Sequence, residues 1–300
     1  LLAGALAQSV GHCWVADIWD DPRLGMDIEG RPANPLRYFN RTYNRSLLFL
    51  VRRRLRGADL IVISLVPTLL EAYGVDPDAE NVLAVTNGVD VRYTQSTATD
   101  DLMPSQTRSD DVRLLYLGPV REARGLGLLL DALERLDGER HLTLRLVGNV
   151  RKQDQVWFEQ DRAEKSLDHV DVQVVGAVEH DRALSEVAAA DVCLCLLSPA
   201  VRNYHFAYPI QVLEYMALGK AIAGTRLGGT ERVFTDEERA LLVPPDGTGA
   251  LARSLDRLVS ASGLRQRLGA TARENVDQYD WERINDRIGE RLQTLRATDR

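Results

Sequence analysis

The densest chemistry in this sequence lies in HFAYPIQVLEYMALGKAIAGTRLGGTE, residues 205–231. Pro209 suits the first position of a helix, where its missing N–H costs nothing, and Gly219 suits the residue that closes it. The helix they bracket is predicted to start near Tyr208. Its first turn, Tyr208, Pro209, Ile210, Gln211 and Val212, would present exposed backbone N–H groups and the positive end of the helix dipole. Such an end is an anion site, suited to a diphosphate. Glu214 follows one and a half turns in. An ionised carboxylate accepts a hydrogen bond at each oxygen, so it can pair with the adjacent hydroxyls of a ribose. The plainer reading is a capped helix with a solvent-facing carboxylate.

The elements that must position these residues alternate along the chain. HCWVADIW reads as a short strand, residues 37–56 as a helix, ADLIVISL as a buried strand, VPTLLEAYG as a helix closed by Gly74, and NVLAVTNGVD as a strand ending in an Asn-Gly turn. A polar stretch without apolar period, RYTQSTATDDLMPSQTRSDD, is the linker candidate. The alternation then restarts with VRLLYLGPV and continues through six strands in all to a last helix from about Trp281 to Leu295. Strands alternating with helices imply a parallel sheet covered on both faces. The expected fold class is α/β, with two Rossmann-like domains facing a cleft and ligands at the carboxyl ends of the strands. Gly118 and Gly148 both follow strands, where a backbone must approach a ligand.

Composition removes several classes. Of 300 residues, 45% are hydrophobic and 27% charged, and the net charge is −7. That is ordinary for a globular protein and lacks the basic footprint of a nucleic-acid binder. Lys152, Lys165 and Lys220 are the only lysines among 37 basic residues, which base composition explains. Cys193 and Cys195 alternate along a strand without a second ligand pair, so they read as buried thiols in a reducing cytoplasm, not as metal ligands. No apolar run reaches the roughly 18 residues of a membrane span. LLAGALAQSVGH lacks the positive start of a signal peptide. The chain is expected to lack its true N-terminus.

These motifs resemble the family-4-type retaining glycosyltransferases of the GT-B fold. LEYMALGKAIAGTRLGG is similar to that family's Glu-x7-Glu region, and YLGPVREARGLGLLLDAL to its diphosphate-clamp region. The resemblance implies that Glu214 binds the donor ribose and that Arg124, with Arg121 on the same loop, clamps the donor diphosphate. Gly118, Gly125, Gly148 and Asn149 would line the donor, and Gly176 the base. Two cations beside a departing diphosphate would stabilise the charge that develops as the glycosidic bond breaks. Three positions depart from the pattern: Phe206 stands where the first Glu would fall, Pro119 where an Arg would, and Trp19 where a His would. Asp20 matches the Asp that follows that His, and it or Asp17 would contact a sugar unless it is only a loop or capping carboxylate. The implied domains are a partial acceptor-side domain over 1–95, a linker over 96–111, a nucleotide-sugar domain over 112–278 and a crossover helix over 279–300.

The resemblance thus implies a glycosyltransferase, with a nucleotide sugar as donor and a glycan, lipid-linked or small-molecule acceptor. No catalytic metal and no cofactor beyond the donor are expected. The arginine-dense stretch from Arg37 to Arg56 suits a basic amphipathic helix on an anionic membrane, at the cytoplasmic face. The alternative for it is a domain helix whose arginines are solvated or touch the expected N-terminal segment. Two rival functions remain open: a catalytically inactive nucleotide-sugar-binding subunit, which the three departures favour, and a sugar-nucleotide epimerase of the same fold.

Overall fold

The computed structural model describes residues 13–19, 49–98, 111–136, 138, 140–234 and 238–298. They form two compact units. The first comprises residues up to Asn87 with His205–Tyr208 and Glu282 onward, and the second Gly88–Tyr204 and Pro209–Trp281.

In the first unit three short strands pair in parallel, β1 (Val15–Ile18), β2 (Leu60–Ile63) and β3 (Val82–Ala84), in that order. β2 is buried along its whole length, as expected of the central strand of a parallel sheet. VPTLLEAYG folds as a 3-10 helix, Pro67–Tyr73, and Gly74 closes it at φ +68°. Residues 49–56 are helical. Two of their arginines are not free in solvent. Arg52 donates to the Ala72 carbonyl (2.8 Å) and Arg56 to that of Gly74 (3.0 Å), which caps the end of the 3-10 helix. Residues 205–208 join this unit by an antiparallel bridge between Leu65 and Ala207 and a Val66 N–H bond to the Phe206 carbonyl (2.8 Å).

The second unit holds six parallel strands: β4 (Val112–Leu117), β5 (Leu142–Val147), β6 (Val170–Gly176), β7 (Val192–Cys195), β8 (Ala221–Thr225) and β9 (Leu241–Val243). Their order is β6-β5-β4-β7-β8-β9. Helices α1 (Val91–Thr97), α2 (Leu126–Glu134), α3 (Lys152–Ala163), α4 (His180–Ala188), α5 (Ile210–Ala217), α6 (Gly229–Val233), α7 (Thr248–Ser260) and α8 (Ser262–Glu274) accompany them. Leu114, Leu144, Leu194 and Ala223 line one continuous core with Leu129, Leu133, Leu255 and Leu258 of the helices. One buried ion pair belongs to this unit. Arg145 of β5 grips both oxygens of Glu186, 1% exposed, at 2.5 and 2.6 Å.

The division falls after Asn87, so α1 groups with the second unit and not with the predicted 1–95 domain. The reason is local pairing: Val89 N–H donates to the Tyr279 carbonyl (2.9 Å) and Val91 N–H to the Asp280 carboxylate (3.1 Å). Most of the predicted linker, 99–110, lies outside the described residues.

Candidate functional site

The chain leaves β4 toward β5 but leaves β7 toward β8, on the other side of the sheet order. Connections that diverge in this way open a crevice at the carboxyl edge, which is where ligands settle in open parallel sheets. The loop after β4 carries Arg121 and Arg124, and the connection after β7 leads into α5 and Glu214.

The β4 loop is held by backbone and by one phenol. Gly118 N–H donates to the Val147 carbonyl (2.8 Å), Val120 N–H to that of Asn149 (3.0 Å), and Tyr116 Oη–H to that of Pro119 (2.9 Å). Gly148 N–H in turn donates to the Gly176 carbonyl (2.8 Å). The glycines were expected to make room for a ligand, but Gly148 makes room for Gly118. A Cβ there, at φ +149°, would lie 2.0 Å from the Gly118 oxygen. Gly176, at φ +85°, has nothing within 4 Å of a Cβ, so its backbone torsion is what favours glycine.

The loop then makes a 3-10 turn, Glu122–Arg124, closed by Gly125 at φ +74°. A Cβ on Gly125 would meet that of Leu196 at 2.9 Å, so the turn packs directly on the segment after β7. Arg124 spans the same gap, its guanidinium carbon 4.8 Å from the centroid of the Tyr204 ring, a cation–π distance. Arg121 Nε lies 4.0 Å from Asp154 Oδ2, beyond hydrogen-bonding reach, while Arg151 holds that carboxylate at 2.6 Å. Burial pushes the Tyr116 phenol far up and the Cys195 thiol up to about 12, and the nearby Arg124 charge opposes both shifts only in part.

The start of α5 differs from expectation by one residue. Pro209 is the cap, with extended backbone, and not the first helical residue. No side chain caps this helix start. The predicted five-residue amide stretch also narrows. Tyr208 belongs to the first unit, where its carbonyl accepts from Asn87 Nδ2 (2.6 Å). Pro209 has no N–H, and the Val212 N–H donates to the Pro209 carbonyl (3.2 Å). Ile210 and Gln211 are left to offer first-turn amides. Gly219 closes the helix as predicted: at φ +63° it donates to the Met216 carbonyl and Lys220 to that of Tyr215, both at 3.0 Å.

Glu214 is buried, 8% exposed, so the solvent-facing reading does not hold. Its Oε1 lies 2.7 Å from His180 Nε2. An ionised carboxylate can only accept, so the imidazole Nε2–H donates. The Tyr93 ring stacks on His180 at 6.0 Å between centroids and 16° between planes, and its hydroxyl donates to Asp181. Nothing in the sequence near Glu214 announces this trio, because His180 lies 34 residues away and Tyr93 on the far side of the 99–110 stretch.

Among the departures, Phe206 packs against the apolar cluster of the first unit, which includes Leu65 and Leu69. At the end of β1 the Trp19 indole N–H donates to Asp17 (2.7 Å), and both side chains are exposed. Asp20 lies outside the described residues. Among the described residues no group of three or more His, Cys, Asp or Glu is placed to hold a metal ion.

This is the fold class of the GT-B glycosyltransferases. The chain is similar over 98% of its length to 75% of Anabaena HepE in a crystal structure with UDP, with a TM-score of 0.77 at 17% identity. Residues 111–261 match the family model described as glycosyl transferases group 1, and the chain belongs to that family. Its relatives include phosphatidyl-myo-inositol mannosyltransferases. That of Mycolicibacterium smegmatis is 28% identical over 220 residues, covering 73% of this chain and 52% of that protein. That of Mycobacterium tuberculosis is 30% identical over 225 residues, covering 73% and 54%. The chain spans about half the length of the curated relatives it matches.

Proposed function

We propose that this chain is a glycosyltransferase that moves a sugar from a nucleoside-diphosphate donor to an acceptor hydroxyl, with retention at the anomeric carbon. The observation that carries the reading is the meeting of Arg124 with Tyr204 at the β4/β7 switch point. It puts a fixed cation at the crevice edge where the chain runs on to the α5 start and the buried carboxylate of Glu214. In this reading the Ile210 and Gln211 amides and the α5 dipole face the diphosphate, Arg124 and Arg121 share its charge, and Glu214 takes the ribose hydroxyls. The bond from the anomeric carbon to the diphosphate oxygen breaks, and its electron pair stays on that oxygen. The acceptor oxygen bonds to the same face of the sugar, and its proton passes to the departing diphosphate. No protein group need become covalently attached.

The acceptor reading follows the family. The relatives' name specifies phosphatidyl-myo-inositol as the acceptor of those proteins, and a lipid-linked or glycan hydroxyl is proposed here. Phe49, Leu50 and Arg53 are exposed on the 49–56 helix, which suits peripheral contact with an anionic lipid surface. Arg52 and Arg56, tied to carbonyls, add less to that face than the sequence promised. Among the described residues no helix is long and apolar enough to cross a membrane.

The test is a panel of UDP-, GDP- and ADP-sugars incubated with the chain and a membrane lipid extract. The expected result is acceptor-dependent consumption of one donor and an anomer of unchanged configuration by NMR. Binding without turnover would point to a non-catalytic subunit, and an epimerised donor without acceptor to an epimerase; either result ends the proposal.

A further inference from the structure

A carboxylate on three rotatable bonds recognises a diol well only if its plane is held before the ligand arrives. Glu214 sits mid-helix on α5 with its side chain 10% exposed, and the partner that orients it is His180, the first residue of α4. The imidazole is itself braced. Tyr93 of α1 lies nearly parallel over it, its phenol donates to Asp181, and its backbone N–H is capped by Asp90 (2.8 Å). Three helices of the second unit thus converge in the order Asp181, Tyr93, His180, Glu214. A carboxylate offers about four acceptor sites. His180 occupies one of them on Oε1, which leaves the others for hydroxyls.

The His180 side chain is 56% exposed. The contact satisfies a carboxylate that is otherwise buried, and through the imidazole it opens to the surface. We propose that His180 is the positioning residue for Glu214, and that selection of ribonucleotide over deoxyribonucleotide donors runs through this pair. The inference rests on the reading of Glu214 as ribose ligand. It goes further by making a residue on another helix responsible for its geometry.

The experiment is calorimetric titration of the full chain with UDP, GDP and ADP, each beside its 2′-deoxy counterpart. The variants are wild type, Glu214→Gln, His180→Ala and His180→Gln, with thermal melting as the folding control. Loss of one hydrogen bond to a charged acceptor corresponds to about tenfold or more in affinity. Wild type is therefore expected to favour the ribonucleotide by about tenfold. His180→Ala should flatten that ratio toward one, while the affinity for the deoxynucleotide stays as in wild type. His180→Gln, whose amide N–H reaches about where Nε2–H does, should restore the ratio. If Glu214→Gln flattens the ratio and His180→Ala does not, the ribose reading stands and the role of His180 is refuted. If wild type shows no ribose preference, or Glu214→Gln leaves it unchanged, the ribose reading itself falls and this inference with it.

Discussion

Replacing Gly148 by alanine tests how the cation loop is held in place. The added Cβ would lie 2.0 Å from the Gly118 oxygen and 2.5 Å from its carbonyl carbon, whereas ordinary contact begins at 3.4 Å. The two backbones must separate by more than 1 Å. That motion stretches Gly118 N–H to Val147 and Gly148 N–H to Gly176, both 2.8 Å, past hydrogen-bonding length. Losing one or two such bonds costs about 1 kcal/mol each. Holding alanine at φ +149° costs a further ~1–3 kcal/mol. The expected loss is about 2–5 kcal/mol. Gly176→Ala is the control, because nothing lies within 4 Å of its Cβ and only the torsional cost, about 1–3 kcal/mol, applies. Urea unfolding followed by circular dichroism reads both. With a slope of about 2 kcal/mol/M, Gly148→Ala should lower the midpoint by roughly 1–2.5 M, and by clearly more than Gly176→Ala does. It should also weaken nucleotide binding, since the loop from Gly118 to Gly125 moves. Equal midpoints for the two variants would refute the argument that Gly118 and Gly148 need each other's space.

Three other outcomes are expected. Arg124→Ala should lower the transfer rate by about 10²–10³, and Arg124→Lys should recover only part of it, because an ammonium cannot lie flat over Tyr204; full recovery with lysine in a steady-state assay would exclude the stacked geometry. Glu186→Ala should destabilise by about 3–5 kcal/mol by stranding Arg145, whereas Arg145→Met with Glu186→Leu should be near neutral; chemical denaturation distinguishes the two. Burial pushes the Cys193 and Cys195 thiols up to about 12, against about 8.5 unfolded. The folded state keeps protons that the unfolded chain loses, so this contribution to stability is complete below about pH 8.5 and is lost as pH rises toward 12. Iodoacetamide at pH 8 should label these two cysteines only in denaturant, and rapid labelling of the native protein would contradict the burial.

Much of the candidate site's layout was legible because its signals are local. Pro209 and Gly219 bracket a helix through backbone chemistry that belongs to each residue, and the structure moves the start by a single position. Arg121 and Arg124 follow a strand ending in Gly118, so their place at a carboxyl edge follows from alternation alone. The alternation itself also gave the parallel sheets. The errors have a common cause in long-range pairing. Tyr208 was expected to offer an amide beside Ile210, but the strand-like bridge of Ala207 to Leu65 draws residues 205–208 into the first unit. Residues 92–97 read as the start of a polar linker, yet they form helix α1, which the pairing of Val89 and Val91 with Tyr279 and Asp280 ties to the second unit. Arg52 and Arg56 read as surface charge because nothing in their neighbourhood shows that the carbonyls of Ala72 and Gly74 need donors.

The sequence by itself determined the alternation of strands and helices in the second unit, the glycine that closes α5, and the residue types that suit a diphosphate and a diol, since each depends on neighbours within a few residues. The tertiary structure alone decided which glycine makes room for which backbone, that Arg124 lies over Tyr204, and that Glu214 is turned inward toward His180. Those facts depend on which segments the sheet order β6-β5-β4-β7 brings side by side, and residues far apart in a chain carry no local mark of the partner that folding will give them.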